Sequence, residues 1–389
     1  MQDKELKQKF PKHKTSSRER ANSGLYELAK SENVEFDTHC HFFNNEYIPE
    51  KYLKLRFPLH SKKFLDNTEK FLDMINPFSD TDKMSYFAYF MNFIRKTSPE
   101  IADYFINIHS PNTIFCPLLM DMTQGIKGEV ASLTKQMDDM KLIMNKYPNQ
   151  ILPFIAIDPN NPDAKEIFIK AFSDEYNFFG VKIYPSLGYL PSHPILMDIF
   201  DICQEKGIPV VTHCGGDSVH STEKRITSIF LDYDSKNRLI KHTEKVKFQT
   251  ASDYGTYFNS PSKWEPVLRT FPNLKLNFGH FGGSSHWLKL KVNNIDNKVL
   301  RIIDLMLRYK NVYSDVSYSL SDPTIFSIFV ELYKKNKILR ERTLFGSDFF
   351  MVVTEGKYKN MRTNFKLFVG DDIFRQITTI NPKKFLFDL

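Results

Sequence analysis

The segment Phe36-Asp37-Thr38-His39-Cys40-His41-Phe42-Phe43 carries the residues best suited to chemistry in this chain. Side chains on a strand alternate between two faces, so His39 and His41 share one face and Cys40 takes the other. Two imidazoles on one face can close on a single metal ion. Val34, Phe36 and the Thr38 methyl make the residues before them a buried strand. A His-x-His pair alone also occurs in ordinary polar or packed settings, so its meaning depends on what the fold brings to it.

Four further segments hold residues of the same kind. Lys182 lies in Gly180-Val-Lys-Ile-Tyr-Pro185 and His213 in Val210-Val-Thr-His-Cys-Gly215. His280 lies in Asn277-Phe-Gly-His-Phe-Gly-Gly283 and Asp348 in Leu344-Phe-Gly-Ser-Asp-Phe349. Each has a plain reading taken singly. His213 can be a core histidine, His280 part of a tight glycine turn, Asp348 a helix cap and Lys182 a solvated or paired structural lysine. What joins them is position: each closes a short apolar run. The other histidines, His13, His60, His109, His193, His220, His242 and His286, fall in loops or insertions and take no ligand role.

The elements needed to position these residues alternate strand and helix. Strand-like runs are expected from Val34 into the His-x-His pair, and at Thr113–Leu119, Ile151–Ile157, Phe179–Tyr184, Ile208–His213, Leu274–Gly279, Val312–Val316 and Thr343–Gly346. Helical spacing falls between most of them. Examples are Val130, Leu133, Met137, Met140 and Met144, then Asp163–Phe172, and Ile195–Lys206 closed by Gly207. Asn297–Tyr309 follows, and Asp322-Pro323 opens a helix to about Lys335. Eight alternating units point to an α/β fold, a (β/α)8 TIM barrel occupying residues 34–389. Two interruptions are expected. A helical insertion spans 44–112, with helical spacing in Phe64, Phe71 and Ile75 and in Phe90, Phe93 and Ile94, and a long polar loop after strand five runs from Gly215 to about Ser262. Residues 1–33 form a basic arm and a leader helix. On this fold His39, His41, Lys182, His213, His280 and Asp348 all sit at carboxyl ends of strands, where barrel active sites are built.

Composition narrows the classes. The chain has 389 residues, a formal charge of +7 and 14% aromatic residues, which suits a soluble globular protein with a thick core. Much of the positive excess lies in Lys4, Lys7, Lys9, Lys12, Lys14, Arg18 and Arg20. No aromatic interleaving accompanies that run, so it reads as a solvated, mobile terminus and no nucleic-acid partner is expected. Cys40, Cys116, Cys203 and Cys214 show no paired spacing and read as reduced, buried thiols. No signal-peptide core and no long apolar run occur, so a cytoplasmic location without a membrane partner is expected. The oligomeric state is open, a homo-oligomer included.

Taken together, Asp37-Thr-His-Cys-His41, Lys182, His213, His280 and Asp348 resemble the metal-binding signature of the amidohydrolase superfamily. Phe154–Pro159, Asn259–Asn273 and Asn381-Pro382 with Phe385-Leu386 resemble its amidohydrolase-related ("amidohydrolase 2") branch. The resemblance implies a distorted barrel holding one or two divalent ions, usually Zn2+, with Mn2+ as an alternative. Residues matching His39, His41, His213 and Asp348 would surround the metal, with His280 beside it. In two-metal members the lysine matching Lys182 carries a carboxylate that bridges the ions. For Lys182 this carbamate, a charged amine beside a single ion, and a structural core lysine all stay open.

The function implied is metal-dependent hydrolysis of an amide, lactone or ester bond in a small, carboxylate-bearing molecule by a metal-activated water. Asp348 would act as proton acceptor and donor and His280 as oxyanion donor. The branch also contains decarboxylases, a hydratase and lactonases, so a decarboxylase or hydratase acting on an aromatic-derived carboxylic acid is the alternative. A barrel that only binds ligands is the third reading. Tyr184 and Trp287, on loops beside the motifs, are the expected substrate-lining residues. Lys224 and Arg225 are proposed for a substrate carboxylate from loop position alone.

Overall fold

The computed structural model describes residues 3–14, 16–49, 96–215, 219–290, 296–317, 319, 323–349 and 358–389. Its strands are β1 (Glu35–Cys40), β2 (Thr113–Pro117), β3 (Phe154–Ala156), β4 (Gly180–Ile183), β5 (Val210–His213), β6 (Arg225–Tyr233), β7 (Leu239–Lys247), β8 (Leu276–Gly279), β9 (Val312–Asp315) and β10 (Thr343–Leu344). β3, β4, β5, β8, β9 and β10 form one parallel sheet in that spatial order, and β1 pairs with β2 in parallel. Two seams join the sheets. Isolated parallel bridges Phe115–Ile151 and Leu118–Phe154 link β2 to β3. Across the other seam Thr38 N donates to Phe345 O at 3.0 Å, and Asp348 N to His39 O at 2.8 Å. The eight parallel strands thus follow one another round a (β/α)8 barrel whose ladder is interrupted at two places.

Period-two alternation sorts the strand residues into two layers. Val181, Ile183, Val210, Phe278 and Val312 face outward into the cluster shared with the surrounding helices. Val34, Phe36, Ile114, Cys116, Phe154, Val211, Tyr313 and Leu344, drawn from six of the eight barrel strands, share a second cluster that fills the lower barrel. One pleat higher along the same faces come Lys182 after Gly180, His213 after Val211 and Asp315 after Tyr313. In β1 the pairing register shifts between Asp37 and Cys40. This bulge lets Phe36 and His39, three residues apart, both face inward, while Cys40 joins the outer cluster.

The amino-terminal arm is docked rather than solvated. Helices Lys4–Lys9, Ser17–Arg20 and Ser23–Lys30 each start on a side-chain cap from Asp3, Ser16 and Asn22. Phe10 packs on Phe168 and Phe172. The Lys7 ammonium pairs with Asp201 at 2.6 Å and Glu205 at 3.0 Å. Buried Arg20 donates at 2.8 Å to the carbonyls of Lys206 and Gly207, the end of helix Pro194–Lys206. Ala21, Leu25 and Ala29 then join Phe385, Leu386 and Phe387 under the lower barrel. The basic residues answer acidic and carbonyl groups on neighbouring helices, which a count of charges along the chain does not reveal.

The stretch after β5 is also more ordered than a long loop. It contains the antiparallel hairpin β6–β7, with Asn237 at φ 60° in its turn, and helix Ala251–Phe258. β7 is half-buried or exposed throughout, so its period-two signal is drowned by Lys241, Glu244, Lys245 and Lys247. Within the insertion after β1, helix Ser98–Asn107 opens with a capping box between Thr97 and Glu100. The spacing at Phe64, Phe71, Ile75, Phe90, Phe93 and Ile94 lies outside the described residues, as does Asp322. Pro323 precedes helix Thr324–Lys335. All four cysteines are free and buried. Among the described residues no helix is long and apolar enough to cross a membrane.

Candidate metal centre

The hydrogen bonds of His39 and His41 fix where their lone pairs point. His39 Nδ1 meets Asp315 Oδ2 at 3.0 Å, and His41 Nδ1 meets the Leu118 carbonyl at 2.8 Å. A carboxylate and a carbonyl only accept, so both Nδ1 atoms carry the proton and both Nε2 atoms are left as bases. The two Nε2 atoms lie 3.6 and 3.4 Å from Asp348 Oδ1. With the ring proton placed on Nδ1, neither Nε2 has one to share with Asp348 Oδ1, and these contacts are not hydrogen bonds. His39 Nε2 and Asp348 Oδ1 are buried with no hydrogen-bond partner among the described residues. Ligand-capable atoms of His39, His41 and Asp348 lie within 4.8 Å of one another. Buried acceptors aimed at one another are costly unless a cation lies between them, so the donor set fits a divalent ion.

Asp315, at the end of β9, was not singled out from the sequence. Its carboxylate is fully buried and accepts from His39 Nδ1, Asn277 Nδ2 at 2.7 Å, His280 N at 3.0 Å and Ser317 N at 3.2 Å. Burial alone would raise its pKa, but His39, His280 and Ser317 hold it below the usual carboxylate range. Asp315 also falls in a metal-capable group with His39 and His280. Four donors on two oxygens make it an anchor for those residues in this arrangement. The strand-end rule that selected His213 would have selected Asp315 in Val312-Tyr-Ser-Asp315.

Two site residues sit in strained backbone. His280 has φ 64°, its neighbour Phe281 φ 43° and Asp348 φ 50°. Left-handed backbone costs a non-glycine residue roughly 1–2 kcal/mol. Around His280 this is offset by Asp315 on its N–H, by Ser319 Oγ donating to its carbonyl at 2.6 Å and by Ser317 Oγ at 2.9 Å from Nδ1. Around Asp348, Ser347 N donates to Asp37 Oδ1 at 2.9 Å and Asp348 N to His39 O. Close approach explains two glycines in the motifs. A Cβ on Gly279 would lie 2.8 Å from His39 Cε1, and one on Gly346 would overlap the His39 Cβ.

The remaining expected residues gather beside this centre. His213 Nδ1 is 3.0 Å from His280 Nε2, and His213 Nε2 has no hydrogen-bond partner among the described residues. The Tyr184 ring stacks on His213 with centroids 4.3 Å apart. Lys182 Nζ is buried, without a hydrogen-bond partner among the described residues, and 5.7 Å from the Tyr184 ring centroid. The Lys298 ammonium ties Gly215 O at 3.0 Å to Gly255 O at 2.8 Å, holding the segment that follows His213. Burial pulls the imidazole pKa down to about 4 for His39 and about 3 for His280, and well below its usual value for His213. Burial also lowers Lys182 to about 8, with Asp315 and Asp348 opposing.

Three expected substrate residues fall elsewhere. Trp287 packs edge-on against Phe281 and Phe329, and its indole N–H donates to Phe281 O at 3.1 Å. Ring and donor are both used up in the core, so it supports the turn after β8 from behind. Lys224 and Arg225 are exposed at the foot of the hairpin. Loop position alone suggested a substrate role for them, and the hairpin carries them outward.

Residues 127–387 match the family described as Amidohydrolase. No curated protein matches the chain. Among solved structures, 5-carboxyvanillate decarboxylase from Novosphingobium aromaticivorans, with bound manganese and a nitrobenzoic acid, is similar at 12% identity and TM-score 0.54, over 92% of this chain and 98% of that one. A 2,6-dihydroxybenzoate decarboxylase complexed with 2,6-dihydroxybenzoate is similar at 13% identity and TM-score 0.50, over 91% and 99%. The 4-oxalomesaconate hydratase of Rhodopseudomonas palustris is similar at 13% identity and TM-score 0.50, over 91% and 95%.

Proposed function

Since the chain belongs to the amidohydrolase family, in its amidohydrolase-related branch, we propose that it is a metal-dependent lyase, a decarboxylase or hydratase of a small, aromatic-derived carboxylic acid. The observation that carries the metal dependence is the convergence of ligand-capable atoms of His39, His41 and Asp348, with His39 Nε2 and Asp348 Oδ1 buried and without a hydrogen-bond partner among the described residues. His39, His41 and Asp348, with His213 as the expected further ligand, would hold one divalent ion, Zn2+ or Mn2+. When bound, that ion supplies Lewis-acid polarisation of a substrate oxygen and offsets developing negative charge. Support for a carboxylic acid substrate and for lyase chemistry comes from the named decarboxylases and hydratase of similar fold.

The chain's own residues have separable tasks in this reading. Asp348, fixed in its turn by Asp37 and His39, handles the proton. It would take a proton from solvent and deliver it to the ring carbon as that carbon's bond to the carboxylate breaks and carbon dioxide leaves, or take one from the water added in a hydration. Asp315 keeps the His39 proton on Nδ1 so that Nε2 stays a base. His280 is oriented through both ring nitrogens, by Ser317 and His213, toward the same space. Tyr184, laid on His213, would wall the substrate side. Burial of the whole set keeps bulk water out and strengthens every charge interaction within it.

Hydrolysis of an amide, lactone or ester bond is the second reading, because Asp348 can equally take a proton from an attacking water. The discriminating experiment loads the protein with Zn2+ or Mn2+ and offers hydroxylated benzoates, unsaturated oxo acids, lactones and aryl esters. Carbon dioxide release or water addition is expected with members of the acid sets. Turnover confined to lactones, esters or amides would reverse the ranking.

A further inference from the structure

Lys182 poses a problem that the metal site alone does not solve. It faces the barrel interior from β4, one pleat above Gly180, whose missing Cβ leaves room for the Phe154 ring. Its side chain is among the largest fully buried ones. No carboxylate lies within ion-pair distance of Nζ among the described residues, and no acceptor within hydrogen-bond distance. An ammonium in that position is among the costliest groups a protein can bury, and it persists where a partner arrives to answer it.

Two partners fit a buried amine beside a metal site: carbon dioxide, forming a carbamate between two ions, or an anionic group of the substrate. The hydrogen bonds of the two histidines decide between them. A second ion would have to draw on His280, which shares the other metal-capable group among the described residues with His39 and Asp315, or on His213. His280 Nε2 is bonded to His213 Nδ1 at 3.0 Å, and His280 Nδ1 is 2.9 Å from Ser317 Oγ. Both nitrogens of His280 are engaged, and one of His213. The pair is tied together instead of splayed around a second cation, and a carbamate on Lys182 would have only one ion to meet.

We infer that Lys182 is the substrate-side cation of this site, receiving a carboxylate of the acid through a charge-assisted hydrogen bond beside the Tyr184 ring. This rests on the reading of His39, His41 and Asp348 as the ligands of one ion. Tyr184 ties the two halves together, with its ring stacked on His213 and its centroid 5.7 Å from Lys182 Nζ. An aromatic acid lying along Tyr184 would then present its carboxylate to Lys182 on the side where Asp348 meets the carbon that bears it. A neutral analogue of the same shape would leave the ammonium unanswered, which is where selectivity for acids would arise.

The test uses the metal-loaded protein with 2,6-dihydroxybenzoate and its carboxamide as probes, read by calorimetry, alongside metal content by elemental analysis. Wild type is expected to bind the acid at least about tenfold more tightly than the amide, as a charge-assisted hydrogen bond allows. Lys182→Met should erase that preference with one equivalent of metal retained. Equal affinity of wild type for both probes, undetectable binding of the acid at millimolar concentration, or a preference that survives in Lys182→Met would overturn the inference. So would loss of an ion in Lys182→Met that short carboxylic acids restore, since that is the behaviour of a carbamate bridge. Should Lys182→Met fail to fold, wild type decides: two equivalents at saturating zinc and bicarbonate refute the proposal, and one equivalent with the acid preferred supports it. Metal content of a His39→Ala/His41→Ala variant separates the two levels, because full occupancy there would defeat the ligand assignment itself whatever Lys182 does.

Discussion

The upper and lower halves of the barrel interior are made by the same strands and obey different rules. Below, Phe36, Ile114, Phe154, Val211, Tyr313 and Leu344 pack as an apolar plug, sealed by Leu25, Ala29 and Phe385 to Phe387. Above, one pleat along, His39, Lys182, His213 and Asp315 meet His41, His280 and Asp348. Four polar atoms, on His39, Lys182, His213 and Asp348, have no hydrogen-bond partner among the described residues. Left-handed backbone at His280 and Asp348 belongs to the upper half as well. Among the described residues the lower half is apolar and free of left-handed backbone, with Thr113 Oγ1 and Thr343 Oγ1 unpartnered only at its strand starts. The upper half gathers strain and unanswered ionisable groups, as expected of a surface built for a ligand.

If that division is right, substitutions in the two halves should separate stability from function. The largest effect is expected below. Phe154→Ala empties space against Gly180 and should cost about 3–5 kcal/mol in denaturant unfolding while the folded variant keeps its metal. Loss of metal from that variant without loss of stability would blur the division. Above, Asp348→Asn should cut turnover of an accepted substrate on the order of 10²-fold or more, with a much smaller change in acid binding and in melting temperature. A near-native kcat would move the proton role to another group. Smaller again is Asp315→Asn, which keeps shape but takes a negative acceptor from His39 Nδ1. Metal affinity is expected to fall about 10–100-fold, measured by competition with a chelating dye. Unchanged affinity would make Asp315 a packing residue only.

Much of this division was legible in the sequence, because the signals were local. Period-two spacing fixed His39 and His41 on one face, and apolar runs ending in His213, His280 and Asp348 put those residues at the barrel mouth. Asp315 ends a run of the same kind, yet it stands as a single acid with no motif around it. Its importance lies in donors from β1, β8 and the turn after β9, which only the folded barrel brings together. The same reason explains the arm. Lys7 and Arg20 looked like solvated charges because their partners, Asp201 and the Lys206 carbonyl, lie some 190 residues away in the chain. The hairpin β6–β7 was hidden by exposure, since a strand without a buried face carries little hydrophobic alternation. Trp287 was misread because a large aromatic beside a motif looks the same whether it faces a ligand or braces the turn from behind.

The claim on which all of this turns is that His39, His41 and Asp348 hold a divalent ion at the barrel mouth. Its most direct test is metal content by elemental analysis after chelation, reloading with Zn2+ or Mn2+ and desalting. Wild type is compared with the His39→Ala/His41→Ala variant, and circular dichroism verifies that both are folded. The account predicts stoichiometric metal in wild type and none in the folded double variant; equal, stoichiometric metal in both proteins would contradict it.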